Sequence, residues 1–189
     1  MFIALRFCRV HALSAGFLDC SADFFVYCVQ AKCRFPRLEN TKHHSKLWRP
    51  QAHCVGVLVA GVMEAYYFLP PQLAADSNMN ITLLTHTLDL VQHVLSSRGK
   101  RMPSHIVFQQ DNTAREGRNQ WVMQLAAALI LKETFRSVTI QFLPVGHTHI
   151  DIDQRFSIIA TALKREDATL HTIEDSISEM KPTMMTLGH

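Results

Sequence analysis

Three aspartates and two histidines carry the chemistry this sequence offers most openly. Asp111 follows the apolar run His105-Ile-Val-Phe108 and stands in Gln109-Gln-Asp-Asn112. Asp151 and Asp153 follow a second apolar run, Val138 to Val145, and sit in Gly146-His-Thr-His-Ile-Asp-Ile-Asp153 beside His147 and His149. Carboxylates brought together from two such strand ends can hold hard divalent ions, Mg²⁺ or Mn²⁺, which prefer oxygen ligands. Two such ions about 3.5–4 Å apart activate the attacking oxygen and stabilise the leaving oxygen of a phosphodiester transfer. Asp111, Asp153 and Asp151 are therefore the candidate metal ligands and catalytic residues. His147, His149 and Asn112 are candidates for hydrogen bonds that orient those aspartates.

The same residues admit other roles. His147-x-His149-x-Asp151 resembles the His-x-His-x-Asp-His run of metallo-β-lactamase-like zinc hydrolases. Here Ile152 follows the aspartate, so the fourth ligand is missing, and only His171 and His189 lie downstream. Local structure offers simpler roles again. Asp111-Asn112 suits a turn at a strand end. Asp151 suits a helix N-cap, with Gln154 reaching back as in a capping box. Asp153 would then lie in the first turn, where the helix dipole favours an anion. The histidines suit a turn after Gly146.

The elements that must position these groups follow from periodicity. Phe24 to Val29 is β-branched and aromatic and reads as a strand. His53–Gly61 and Val62–Leu69 read as an antiparallel hairpin broken at Gly61 and ended by Pro70-Pro71. Asp76-Ser77-Asn78 offers N-caps for a helix whose Ile81, Leu84, Leu88, Val91 and Leu95 share one face, ending near Gly99. Ile106-Val-Phe108 reads as a central strand. A helix follows from Asn119 to Phe135, its face formed by Val122, Leu125, Ala126, Leu129 and Ile130, and then a strand from Val138 to Leu143. The last helix carries Phe156, Ile159, Ala160 and Leu163.

Three antiparallel strands followed by alternating helix and strand is the order of the ribonuclease H-like fold. The expected architecture is α/β, with a mixed sheet of about five strands and helices on both faces. In that architecture one acid lies on the first strand, a second at the end of the fourth, and a third in the first turn of the last helix. Asp111 takes the second position and Asp153 the third, with Asp151 as competitor. The domain is expected over residues 23–166. Residues 1–22 form an extension without a clear period, and 167–189 a tail that reads as truncated.

Composition narrows the class. The chain has 189 residues, 48% hydrophobic and 19% charged, as a globular domain does. Five cysteines, at 8, 20, 28, 33 and 54, show no CxxC spacing, which argues against a disulfide framework or zinc ribbon. Arg6, Arg9 and His11 interrupt the apolar start, so no secretory signal is read, and no run reaches the roughly 18 residues of a membrane span. An intracellular, nuclear setting without a membrane partner is expected. Net charge is only +3, but Gln30–Pro50 concentrates Lys32, Arg34, Arg37, Lys42, Lys46 and Arg49 around Phe35 and Trp48. That segment reads either as a solvated loop or as a nucleic-acid contact. Arg115 and Arg118, flanking Asp111, join Lys32, Arg34, Arg37, Lys46 and Arg49 as candidates for binding DNA.

Two longer motifs, Gln109-Gln-Asp-Asn-Thr-Ala-Arg-Glu-Gly-Arg-Asn-Gln120 and Phe142-Leu-Pro-Val-Gly-His-Thr-His149 with Ile152-Asp-Gln-Arg-Phe-Ser157, closely resemble a eukaryotic domain family that looks transposon-derived. The family is similar to ribonuclease H-like DDE transposase and integrase cores and carries no assigned activity. Gln30-Ala-Lys32, Arg34, Pro36-Arg37, Leu47-Trp-Arg-Pro50 and His53-Cys-Val-Gly56 also fit, so the resemblance covers roughly residues 30 to 165. It implies a transposase- or integrase-derived nucleic-acid-binding domain that uses Mg²⁺ or Mn²⁺. One departure matters. The family reads Asp-Gly-Met-Asp just before Gln-Ala-Lys, where this chain has Val26-Tyr-Cys-Val29. Asp23 and Asp19 are the nearest carboxylates upstream. The expectation is ancestral metal-dependent phosphodiester transfer impaired by loss of the first-strand acid. The alternatives are a domesticated DNA-binding module without chemistry, and a zinc hydrolase using His147, His149 and Asp151.

Overall fold

The computed structural model describes residues 5–10, 24–34, 51–70, 72–73, 76–110 and 120–142, together with Ser157, Asp175 and Ser178, which are helical. Six strands and two longer helices are described: β1 (Leu5–Val10), β2 (Phe24–Arg34), β3 (Gln51–Val59), β4 (Met63–Leu69), α1 (Ser77–Ser97), β5 (His105–Gln110), α2 (Gln120–Leu131) and β6 (Ser137–Phe142). The strands form one mixed sheet in the order β1-β4-β3-β2-β5-β6. Pairing is antiparallel from β1 through β4 and β3 to β2, and parallel from β2 to β5 and from β5 to β6. The protein is thus a mixed α/β fold.

The hairpin between β3 and β4 forms where the sequence breaks at Gly61. Val62 N–H donates to the Val59 carbonyl at 3.0 Å, and Gly61 takes φ +70°, which costs a residue without Cβ little. The α1 helix starts and stops on local signals. Asp76 caps its start by accepting from Met79 N–H at 3.0 Å. At its end Gly99 has φ +67°, Gly99 N–H donates to the Ser96 carbonyl and Lys100 N–H to that of Leu95. This is a Schellman arrangement, in which backbone donors satisfy the last carbonyls.

The core lies between α1 and one face of the sheet. Leu84, Leu88, Val91 and Leu95 of α1 are buried against Val55, Val57 and Val59 of β3, Met63, Ala65 and Tyr67 of β4, and Ile106 and Phe108 of β5. The alternate residues Cys54, Leu58, Tyr66, Phe68 and Val107 are buried too, so both sheet faces are shielded from water. β4 is buried along its whole length, Glu64 included, which fits a strand that is otherwise apolar. α2 contacts α1 and β6, and Leu125 and Leu129 pack on the same core.

Several expectations change. The sheet has six strands rather than about five, because Leu5–Val10, placed in the N-terminal extension, pairs with β4 at the sheet edge. β2 runs five residues past Val29, so Lys32 and Arg34 stand on a strand instead of in a loop. Pairing of Lys32 with His53 and of Arg34 with Gln51 extends it. The two described helices share one face; the helix expected around Phe156 to Leu163 lies outside the described residues except for Ser157. Ile130, expected on the packed face of α2, is 42% exposed. Among the described residues, no helix is long and apolar enough to cross a membrane.

Candidate functional site

The parallel part of the sheet defines where a site can form. The chain passes from β2 outward to β3 and β4 on one side, then returns to place β5 on the other side of β2. In open sheets of this kind, ligands gather at the carboxyl ends of the strands where the order reverses. That point lies between β2 and β5. Register fixes it: Tyr27 pairs with Gln109, Cys28 with Gln110, and Gln110 in turn with Phe142 of β6. Asp111 is the residue after Gln110 in the sequence.

Asp111 itself lies outside the described residues, as do Asn112, Arg115, Arg118, His147, His149, Asp151 and Asp153. So do Arg37, Lys46 and Arg49 of the basic segment. Lys32 and Arg34 occupy the last turns of the pleat on β2, in register with His53 and Gln51 of β3. Among the described residues, no cluster of three or more His, Cys, Asp or Glu side chains could hold a metal ion.

What β2 contributes beside the end of β5 can be read from the register. With Cys28 beside Gln110, the next β2 residue in line is Val29, which pairs on its other side with Gly56. Asp23 lies outside the described residues. It is bonded to Phe24, which pairs with Ile106. Four residues of strand separate that position from Cys28 and Gln110, roughly 13 Å at about 3.3 Å per residue. From Val29 to its end at Arg34, β2 carries no carboxylate.

Sequence reasoning passed over several polar groups. Glu64 is 2% exposed and accepts from Tyr66 Oη at 3.1 Å through Oε2. Its register partners are Arg9 on β1 and Leu58 on β3. A carboxylate taken out of water needs hydrogen-bonding partners of this kind. The signal was available, since Glu64 is the one charged residue between Cys54 and Leu69. A second group joins sheet and helix. Tyr67 Oη lies 2.8 Å from Thr87 Oγ1 and 3.1 Å from His86 Nδ1. Thr87 donates its hydroxyl proton to the Leu83 carbonyl at 2.8 Å. Tyr67 must therefore donate to Thr87, and His86 must carry its proton on Nδ1 to donate to Tyr67. This network ties α1 to β4 within the core. A third pair, His105 Nδ1 and Ser137 Oγ at 2.5 Å, links β5 to β6 at their amino ends.

No curated protein matches the sequence. One family model does, over residues 42–187, a span that takes in β3 to β6 and leaves β1 and β2 before it. By that match the chain belongs to the family described as Domain of unknown function (DUF7869).

Proposed function

We propose that this chain is a transposase- or integrase-derived nucleic-acid-binding domain of ribonuclease H-like topology, whose metal-dependent phosphodiester transfer is impaired. The observation that carries the reading is the sheet itself. Strands β4-β3-β2-β5-β6, antiparallel up to β2 and parallel beyond it, follow the strand order of that fold, with β1 added at the edge. The sequence motifs at Asp111 and at His147–Asp153 supply the family resemblance. Val26 to Val29 in place of the family's acids before Gln30 support the loss of chemistry.

In this reading Asp111, Asp153 and Asp151 are what remains of a carboxylate set for Mg²⁺ or Mn²⁺, and no reaction step is assigned to it. Binding is the retained activity, through Lys32, Arg34, Arg37, Lys46 and Arg49, with Arg115 and Arg118 beside Asp111. DNA is the expected partner, because each phosphate neutralised by a cation releases condensed counterions.

The test is fluorescence anisotropy of labelled duplex DNA across a salt series. Binding should weaken steeply with salt, fall in Lys46→Gln/Arg49→Gln, and survive Asp111→Asn and Asp153→Asn. Salt-insensitive binding, or binding lost with the aspartates alone, contradicts the reading.

A further inference from the structure

We infer that the outer face of α2 is a dimer interface, on which the same helix of a second copy of this chain packs antiparallel. It uses none of the residues of the function proposed above and does not depend on it.

α2 is apolar on both sides but covered on one. Its residues, Gln120 to Leu131, carry no charge. Val122 and Ala126 are buried, and Leu125 and Leu129 pack against the core beside them. At about 3.6 residues per turn these four share one side of the helix. The other side holds Trp121, Met123, Ile130 and Leu131, which are 46, 47, 42 and 83% exposed. They are all the exposed large apolar side chains among the described residues. Gln120, Gln124, Ala127 and Ala128 are exposed between them. A helix apolar on both sides belongs where both are covered, and exposed apolar surface concentrated in one patch marks an interaction site.

The chemistry of the face narrows its occupant. With no cation from Gln120 to Leu131, it offers a nucleic-acid backbone nothing to pair with. A helix that lies on a membrane surface carries Lys or Arg along its polar face, and α2 has neither. The matching surface is uncharged and apolar, and α2 itself is such a surface. Its pattern is also close to symmetric about Ala126. Trp121 and Leu131 flank that residue at equal spacing, as do Gln124 and Ala128, and Met123 and Ile130 nearly so. Turned end for end, the helix therefore meets itself large on large at the ends and small on small in the middle. Two crossing helices approach closest at the middle, where Ala127 and Ala128 leave room, and diverge toward the ends, where the larger side chains fill the gap. Such a two-fold contact closes on itself and stops at the dimer.

Size sets the strength. α2 has 12 residues and is about 18 Å long. One face of so short a helix buries less than the about 800 Å² per partner of a standard interface, so the dimer is a weak, concentration-dependent one.

The experiment is sedimentation equilibrium of the full chain from about 5 to about 500 µM, the range suited to a weak interface. The mean mass should rise with concentration from the 21.5 kDa of one copy toward twice that. Met123→Glu/Leu131→Glu puts a charge at each end of the face and should raise the dissociation constant at least about tenfold. Thermal melting should be unchanged, because both side chains are exposed; if this variant melts early, Leu131→Glu alone provides the same reading. The antiparallel arrangement is read from a mixture. Met123→Glu and Ile130→Lys chains should each be monomeric where the wild type dimerises, and should dimerise together, since each sets its charge opposite the other's. Three results overturn the inference: a wild type that stays monomeric throughout, which leaves the face to a different protein or to another segment of this chain; an unchanged dimer in a folded variant; or no dimer from the mixture.

Discussion

The two ends of the parallel strands differ in what they present. At the amino ends of β5 and β6, backbone bonds join two loops around a cleft whose charged lining residues are Glu133 and Arg136. At the carboxyl ends the chain runs from Gln110 into Asp111 and from Phe142 toward His147, His149, Asp151 and Asp153. In the proposed reading the second end once held cations between carboxylates, and Val26 to Val29 now stand where the resembling family has its first-strand acids. A sheet fixes only where side chains emerge, so in that reading a missing carboxylate leaves the fold intact while removing the chemistry.

The contrast can be broken most forcefully through the core at the amino ends. Leu95 is fully buried in the last turn of α1, and its carbonyl accepts the Lys100 N–H that shapes the first loop. Leu95→Ala should cost about 2–5 kcal/mol in urea unfolding.

At the other end, Val29→Asp should supply the carboxylate that the proposed reading takes as lost. It should tighten Mn²⁺ binding by at least about tenfold, since even the outer partners of metal ligands are worth roughly 10–100-fold. Isothermal titration would measure this, and Val29→Asp/Asp111→Asn should lose the gain. An equal gain from Val26→Asp would contradict the register, because Val26 pairs with Phe108 rather than lying beside the end of β5.

A smaller effect sharpens the comparison without touching charge. Gly99→Ala meets no atom within 4 Å, so its cost is backbone strain at φ +67° alone. About 1–2 kcal/mol of stability should be lost, with Mn²⁺ affinity unaffected.

Much of the frame was legible in the sequence because local signals agreed with the fold. Asp76, Gly99, the leucine spacing of α1 and the Gly61 break each act within a few residues. β1 was not legible, since Leu5-Arg-Phe-Cys-Arg-Val10 has no clean period and becomes a strand through its pairing with β4. The extension of β2 did leave a trace, as Gln30, Lys32 and Arg34 alternate with Ala31 and Cys33. The Tyr67–His86–Thr87 network joins residues 19 and 20 positions apart, and no spacing rule reaches that far. The cleft between the loops was hidden for the same reason: its two loops are separated in sequence by β5 and α2. The motifs at Asp111 and at His147–Asp153 were legible as candidate chemistry, and they lie outside the described residues.

The most direct test of the central claim is Mn²⁺-dependent nicking of supercoiled plasmid DNA by the wild-type chain and by Asp111→Ala. The account predicts no Asp111-dependent cleavage, with the two proteins indistinguishable from each other. Robust cleavage by the wild type that disappears in Asp111→Ala would contradict it, and would mean that the site is complete without an acid on β2.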